Sequence, residues 1–181
     1  MFKRLNKTAI NIYNYMGGGI LPVAIHKNQL FFLFGKEHSN VNSPGWSDFG
    51  GGKEGHERPI TTAVREGYEE LSGFLGSKSQ INTQVKDNLI CSIESNNYTT
   101  FVFKAEYCEM LPNYFNGNFK FIQNHAPHIL SKNGLYEKSE IKWFTPEEVR
   151  QKRSQFRSYY DEEFLDAILA EEKNIKTAFK N

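Results

Sequence analysis

Glu66, Glu69 and Glu70 stand within one helical turn of sequence, and Glu54 and Glu57 lie just upstream. Like charges so close repel and raise one another's pKa, so such a cluster calls for a compensating cation. Around them Ile60, Val64, Tyr68 and Leu71 recur at helical spacing. Residues three and four apart share a helix face, so the carboxylates are expected on one flank and the apolar stripe against the core. Directly before this helix the chain reads FGGGKEG, residues 49–55, with the small residues needed where backbone turns sharply or lies close to a ligand. Carboxylates joined by a backbone carbonyl form a hard oxygen set suited to Mg²⁺, with Mn²⁺ next. Mg²⁺ held in this way keeps several waters and is completed by substrate phosphates. Two or more such ions would neutralise a polyphosphate, orient it and generate hydroxide from a bound water.

A charged run is ordinarily a solvated face, but the longer spacing argues otherwise. Gly51, five residues, Glu57, seven residues, Arg65-Glu66, two residues, and Glu69-Glu70 follow one another in residues 51–73. This pattern resembles the Nudix box, the signature of the Nudix hydrolase superfamily. Weaker likeness extends outward: GGGILPVAI (17–25) resembles the first core strand, Trp46 precedes the glycine loop, and EIKWFTPEEV (140–149) looks like the closing strand and helix. Together these span most of residues 17–150. Three positions depart from the family pattern. Gly67 replaces an aliphatic residue, at a cost of about 1 kcal/mol relative to Ala, with Tyr68 expected to supply the packing. Ser72 takes the usual Gly position, and Gly73 is expected to cap a helix ending one residue later. Phe49 stands where a Pro is common. None of these removes a ligand.

The resemblance implies Mg²⁺- or Mn²⁺-dependent hydrolysis of a phosphoanhydride bond in a nucleoside diphosphate linked to another moiety. The linked forms are a nucleotide, a nucleotide-sugar, a dinucleoside polyphosphate or capped RNA. Carried over residue by residue, the Gly51 carbonyl and the carboxylates of Glu66, Glu69 and Glu70 would bind metal. Arg65 would hold the carboxylates in place through an ion pair with Glu69. Glu57 would add an outer metal contact or a structural hydrogen bond near the helix N-terminus, where the dipole also favours negative charge. The general base is Glu66 or a carboxylate outside the box, with Glu106, Glu109 and Glu140 as candidates. Relatives often dimerise, so a homodimer is an open expectation. The alternative from another class is a silent Nudix-fold module that binds nucleotide or RNA without cutting it; such modules lose box carboxylates, and this chain keeps them.

Substrate signals are thinner. Trp46, Phe49, Tyr98 and Tyr107 are within reach for base stacking, although aromatic residues more often pack cores. Arg150, Lys152, Arg153 and Arg157 lie among aromatics in residues 149–160, either a phosphate-tracking patch for RNA or a solvated face balanced by the acidic residues that follow. His125 and His128 lack further ligands and read as loop.

Around the box, residues 19–37 hold two apolar runs about a polar HKNQ turn, a hairpin signal. Residues 38–45 read as loop. NLICSIES and YTTFVFKAEY read as strands, rich in β-branched and aromatic residues, and so does EIKWF (140–144). Residues 113–134 are polar and Asn-rich and suggest a long excursion with weak structure. Thr145, Pro146 and Glu148 spell a capped helix start, and Phe164, Leu165, Ile168, Leu169, Ile175 and Phe179 predict one amphipathic C-terminal helix. The expected architecture is α+β, the Nudix fold's mixed β-sheet sandwiched between α-helices, as one domain over 1–181 with 146–181 as its helical C-terminal part. Of the 181 residues, 39% are hydrophobic and 24% charged, a globular composition. A net charge of +1 gives no whole-chain argument for nucleic acid or membrane. Two cysteines, Cys91 and Cys108, suit packing and a reducing compartment. No apolar run approaches the roughly 20 residues of a membrane helix, and the first 19 residues are too broken by Asn and Lys for a signal peptide. A cytoplasmic protein is expected.

Overall fold

Alternation with a period of two sends successive side chains of a strand to opposite faces, and here both faces are apolar. In β1 (Gly17–His26), Leu21 and Val23 enter one core while Ile20 and Ala24 enter the other. In β2 (Gln29–Glu37), Phe32 and Phe34 join the first and Leu33 the second. The computed structural model describes residues 16–37, 44–130 and 136–180. The N-terminal stretch and most of the loop expected at 38–45 lie outside them.

Lys27 and Asn28 join β1 to β2 with φ of 48° and 63°, the positive pair that a two-residue type I′ hairpin requires. Short β3 (Trp46–Ser47) and β4 (Phe49–Gly52) precede helix α1 (Pro59–Glu70). After α2 (Lys78–Asp87) come β5 (Leu89–Ser95) and β6 (Tyr98–Lys104), then α3 (Leu111–His125) and β7 (Lys138–Phe144). The strands form one mixed sheet in the order β3-β2-β1-β6-β5, with β4 paired to β1 and β7 to β2. The β1/β6 pair is parallel and the other pairs antiparallel.

α1, α2 and α3 cover one face through Val64, Ile81 and Phe115, packed with Ile20, Phe49 and Phe103. The other face is covered by the C-terminal helices: α4 (Pro146–Gln151), α5 (Ser158–Tyr160), α6 (Asp166–Ala170) and α7 (Glu172–Ala178). Their Tyr160, Phe164, Ile168 and Ile175 pack on Val23, Phe34 and Val102. The sheet is thus sandwiched between helices, as the α+β reading expects. Among the described residues no helix is long and apolar enough to cross a membrane.

Three local expectations are corrected. The polar excursion begins instead as α3, a 15-residue helix. Leu111, Phe115 and Phe119 bury one stripe at four-residue spacing, and Asn116 uses its amide to bond the N–H and C=O of Ile141 on β7, at 2.8 and 3.3 Å. The Asn residues that suggested loop therefore include a tie to the sheet. The C-terminal helix is not continuous: residues Asp161–Leu165 are π-wound, where Arg153 captures the Asp161 carbonyl at 3.0 Å, and α6 and α7 are separate elements.

The third correction concerns the end of α1, which stops at Glu70 rather than a residue later. Ser72 N–H donates to the Glu69 carbonyl and Gly73 N–H to the Tyr68 carbonyl, at 3.0 and 3.2 Å, the bond pair of a Schellman motif. Ser72, with φ of 50°, occupies the left-handed position that Gly normally fills, and its hydroxyl is buried without a partner among the described residues. Left-handed backbone costs a non-glycine residue about 1–2 kcal/mol, against the extra entropy that glycine loses on folding. Ser72→Gly is therefore expected to raise stability by about 1 kcal/mol, read as an upward shift of the urea midpoint at unchanged slope.

Candidate active site

Two triglycine segments face each other at the heart of the site. Gly17 pairs with Gly52, Gly18 with Gly51 and Gly19 with Gly50. Side chains are excluded there: a Cβ on Gly50 would stand 2.1 Å from the Tyr98 hydroxyl, and one on Gly19 would stand 2.5 Å from an Asp48 carboxylate oxygen. α1 lies across β1 and β4, and Gly67 lets it approach closely, since a Cβ there would meet Ile20 Cδ1 at 2.3 Å. The departure from an aliphatic residue at this position is thus a close helix–strand contact, with partly buried Tyr68 packed against the same core.

Arg65 is the hub of the acidic cluster. Its guanidinium donates to Glu57 through Nε at 3.0 Å and Nη2 at 3.1 Å, to Glu69 at 3.2 Å, and to the Gly52 carbonyl at 2.9 Å. It also pairs with Glu66 at 2.8 Å. The expected Arg65–Glu69 pair is present. Glu57 accepts in addition from Glu54 N–H and the Thr62 hydroxyl, and the hydrogen bonds from Arg65 above all bring its carboxyl down to about 2. Glu66 lies against Gly51, where a Cβ would stand 2.7 Å from its carboxylate. Burial pushes the Glu66 carboxyl up, Arg65 pulls it back, and Glu69 and Glu137 push it further up.

Glu70 faces elsewhere. It is 2% exposed, turned into the protein rather than onto the flank that carries Glu66 and Glu69. Its Oε2 accepts from Gly50 N–H at 2.8 Å, and its Oε1 lies 3.2 Å from Lys138 Nζ. Lys138, wholly buried, also reaches Glu37 at 2.5 Å and the Ser47 hydroxyl at 3.0 Å. Glu37 is met a second time by Arg157 at 2.6 Å. Beside them Asp48 accepts from the Tyr98 and Thr100 hydroxyls at 3.1 and 2.7 Å. Three buried carboxyls thus share two cations, and burial pushes the Glu70 carboxyl well up despite the pull of Lys138. Burial lifts Asp48 to about 6. Burial alone would lower Lys138, but Glu70 and Glu37 outweigh it and bring the ammonium to about 12.

Mg²⁺ and Mn²⁺ take hard oxygen donors. Among the described residues no three His, Cys, Asp or Glu side chains form a complete cage. Glu66 and Glu69 supply two carboxylates beside the bare backbone of β4, and a side chain on Gly51 would fill that space. One or two carboxylates, with waters and substrate phosphates as the remainder, is the usual protein share for Mg²⁺, so the set fits. The Gly51 carbonyl lies on the β1 side, 2.5 Å from where a Cβ of Gly17 would stand, whereas the Gly50 N–H and Gly52 C=O face α1.

No family model and no curated protein matches the sequence. Solved structures do match the fold. A Nudix hydrolase from M. smegmatis, RenU, is 14% identical over 87% of each chain, with a TM-score of 0.50. An Ap4A hydrolase of C. elegans is 12% identical over 89% of this chain and 98% of that one, with a TM-score of 0.53. A bifunctional NMN adenylyltransferase/ADP ribose pyrophosphatase from Francisella tularensis, complexed with AMP and a Mn ion, is 13% identical over 87% of this chain and 41% of that one, with a TM-score of 0.53. The chain has the Nudix fold.

On this Nudix fold the other candidates separate by position. Glu106 and Glu109 are exposed and follow β6 beyond Lys104, which pairs with Val23, while Gly51 pairs with Gly18 near the other end of β1. They therefore follow the end of β6 that lies away from the paired glycines. Glu140 is tied to Lys36 at 3.7 Å. Trp46 packs edge-on to Phe144, Phe49 is fully buried, Tyr98 binds Asp48, and Tyr107 stacks on His26. All four serve packing.

The basic stretch is likewise engaged. Arg150 pairs with Glu172, Lys152 with Glu148, Arg153 with Asp161 and Asp166, and Arg157 with Glu37. All four are ion-paired within the chain. His125 leans on Phe121. Cys91 is half-buried against the C-terminal core, and Cys108 is exposed.

Residues absent from the sequence reading are Lys138, Glu37, Asp48 and Glu137. The first three carried no local signal, since Lys138 and Glu37 are 101 positions apart and Asp48 and Thr100 are 52 apart. Glu137 stands beside Lys138 at the entrance to β7. Its side chain is exposed; partial loss of solvent first, then repulsion from Glu37 and Glu69, raises its carboxyl, and Lys138 and Arg65 pull it back.

Proposed function

We propose that this chain is a Mg²⁺- or Mn²⁺-dependent Nudix-type pyrophosphohydrolase acting on a nucleoside diphosphate linked to another moiety. The observation that carries the reading is the gathering of Glu57, Glu66 and Glu69 by one guanidinium against a strand stripped of side chains. Glu66 and Glu69 would hold the ion, with a carbonyl of the Gly50–Gly52 strand, of which the family resemblance names Gly51. When bound, the ion supplies neutralisation of the polyphosphate and an activated water.

The chain's own residues do the rest. Arg65 fixes the rotamers of Glu66 and Glu69, so little ordering remains when a substrate arrives. Glu57 anchors Arg65 from the N-terminal turn of α1. Glu70 holds the Gly50 N–H and so sets the path of β4. For the proton we take Glu66 in the box, with Glu137, which feels the charges of Glu69 and Arg65, as the carboxyl outside it. A nucleotide-type substrate agrees with the names of the similar structures, an Ap4A hydrolase and an ADP ribose pyrophosphatase.

The test is product release from ADP-ribose, Ap4A, nucleoside triphosphates and capped RNA, with and without Mg²⁺. At least one should be cut only with Mg²⁺, and Glu66→Gln should slow that turnover by about 10²–10⁴-fold at an unchanged melting temperature. Full activity of Glu66→Gln, or turnover indifferent to Mg²⁺, would sink the assignment. Nucleotide uptake with no release from any of them would point to the silent binding module instead.

A further inference from the structure

We propose that the Lys138 ammonium is a resident cation in the position between Glu37 and Glu70 that a second divalent ion would need, so that the chain takes up one such ion, at Glu66 and Glu69. This rests on the metal-dependent reading above and specifies its stoichiometry. Lys138 has three donors and no acceptor, and the three oxygens within reach are Glu37 Oε1 at 2.5 Å, Ser47 Oγ at 3.0 Å and Glu70 Oε1 at 3.2 Å. The other Glu70 oxygen takes the Gly50 N–H at 2.8 Å. Both oxygens of Glu70 therefore have partners inside the protein.

The lysine also has a built passage. Gly35 has no side chain where the Lys138 stem runs: a Cβ there would lie 2.9 Å from Lys138 Cγ and 2.7 Å from the Phe49 ring. β7 is fixed to β2 by pairing of Lys138 with Glu37. An ion entering between Glu37 and Glu70 would have to expel a fully buried ammonium, leaving a charge without its partners, which is costly. Among the described residues Glu66 and Glu69 are paired with Arg65, which is itself held by Glu57. Glu70 is then a positioning residue for β4 rather than a ligand.

The experiment is calorimetric titration with Mn²⁺ alone, using the full chain and its Glu70→Gln, Glu66→Gln and Lys138→Met variants, with melting temperatures measured in parallel. The wild type should bind one ion. Glu70→Gln should keep that stoichiometry and affinity, and Glu66→Gln should weaken uptake by about tenfold or more. Lys138→Met should gain a second ion, seen as added uptake or as folding that depends on Mn²⁺. Two ions on the wild type, a tenfold loss in Glu70→Gln, or a Lys138→Met chain that neither gains an ion nor folds with Mn²⁺ would overturn the proposal. Were the wild type to bind none, the catalytic reading would fall separately, and the Lys138→Met result alone would decide whether the lysine blocks an ion site.

Discussion

Arg65→Met is expected to destabilise the chain by about 3 kcal/mol at neutral pH, the lower end of the cost of breaking a buried ion pair by removing one partner. The side chain is 10% exposed, and its removal takes donors from Glu57, Glu66, Glu69 and the Gly52 carbonyl at once. Three carboxylates would then face one another with no cation between them. The loss should shrink in acid. Arg65 holds Glu57 at about 2 in the folded chain, below the ordinary value, so this contact adds stability that is present above about 4.5 and is lost as pH falls towards 2. Urea unfolding at pH 7 and pH 3 should show a deficit at the second that is about half or less of that at the first. Adding Mg²⁺ should restore more stability to the variant than to the wild type, because the ion replaces part of the missing charge. An equal deficit at both pH values would show that Arg65 acts through its packing alone.

Asp48→Asn should do the opposite. Asp48 is fully enclosed, and its carboxyl stands at about 6 because burial outweighs the hydrogen bonds from Thr100 and Tyr98 and the pull of Lys138 and Arg157. In the unfolded chain the same group titrates near 3.8. Between these values the folded state binds the extra proton, so stability falls as pH rises through the window. A shift of this size corresponds to at most about 3 kcal/mol at 1.36 kcal/mol per pH unit. Asparagine keeps the shape and can accept from one hydroxyl while donating to the other. The variant should therefore be more stable than the wild type by about 2 kcal/mol at pH 7.5, with the advantage gone at pH 3.5. Thermal melts of both proteins across that range measure the difference directly. A constant offset would mean that Asp48 is charged throughout.

What could be read from the sequence was local. Arg65 and Glu69 are four positions apart, and a helix brings them together whatever surrounds it. Thr145 and Glu148 spell a capping box, and both of its bonds form, at 3.1 and 3.0 Å. The paired strands followed from their β-branched and aromatic runs. What escaped was set by tertiary contact. Glu70 looks like its neighbours in a helical projection, yet the sheet behind it supplies Lys138 and the Gly50 N–H, so it turns inward. α3 was hidden by its asparagines, and only the docking of Asn116 on β7 gives one of them a structural purpose. Asp48 carries no mark that separates it from a surface aspartate until Thr100 and Tyr98 arrive from β6.

The facing triglycines leave one stretch of the sheet with nothing projecting from either ribbon. Alignment between strands is ordinarily enforced by which side chains must be inside, and here that enforcement is missing over three consecutive pairs. The alignment is locked from outside by two clasps: Glu70 on the Gly50 amide, and the Asp48–Tyr98 pair wedged behind Gly19 and Gly50. A slip of one residue would flip which peptide groups of β4 look towards α1, swapping the Gly51 carbonyl for those now facing Arg65 and Glu70. The buried acids thus act as a latch on backbone phase: cutting them back to Ala would misalign the acidic centre without touching Glu66 or Glu69, whereas an amide in their place keeps an acceptor for the Gly50 N–H and the Tyr98 hydroxyl.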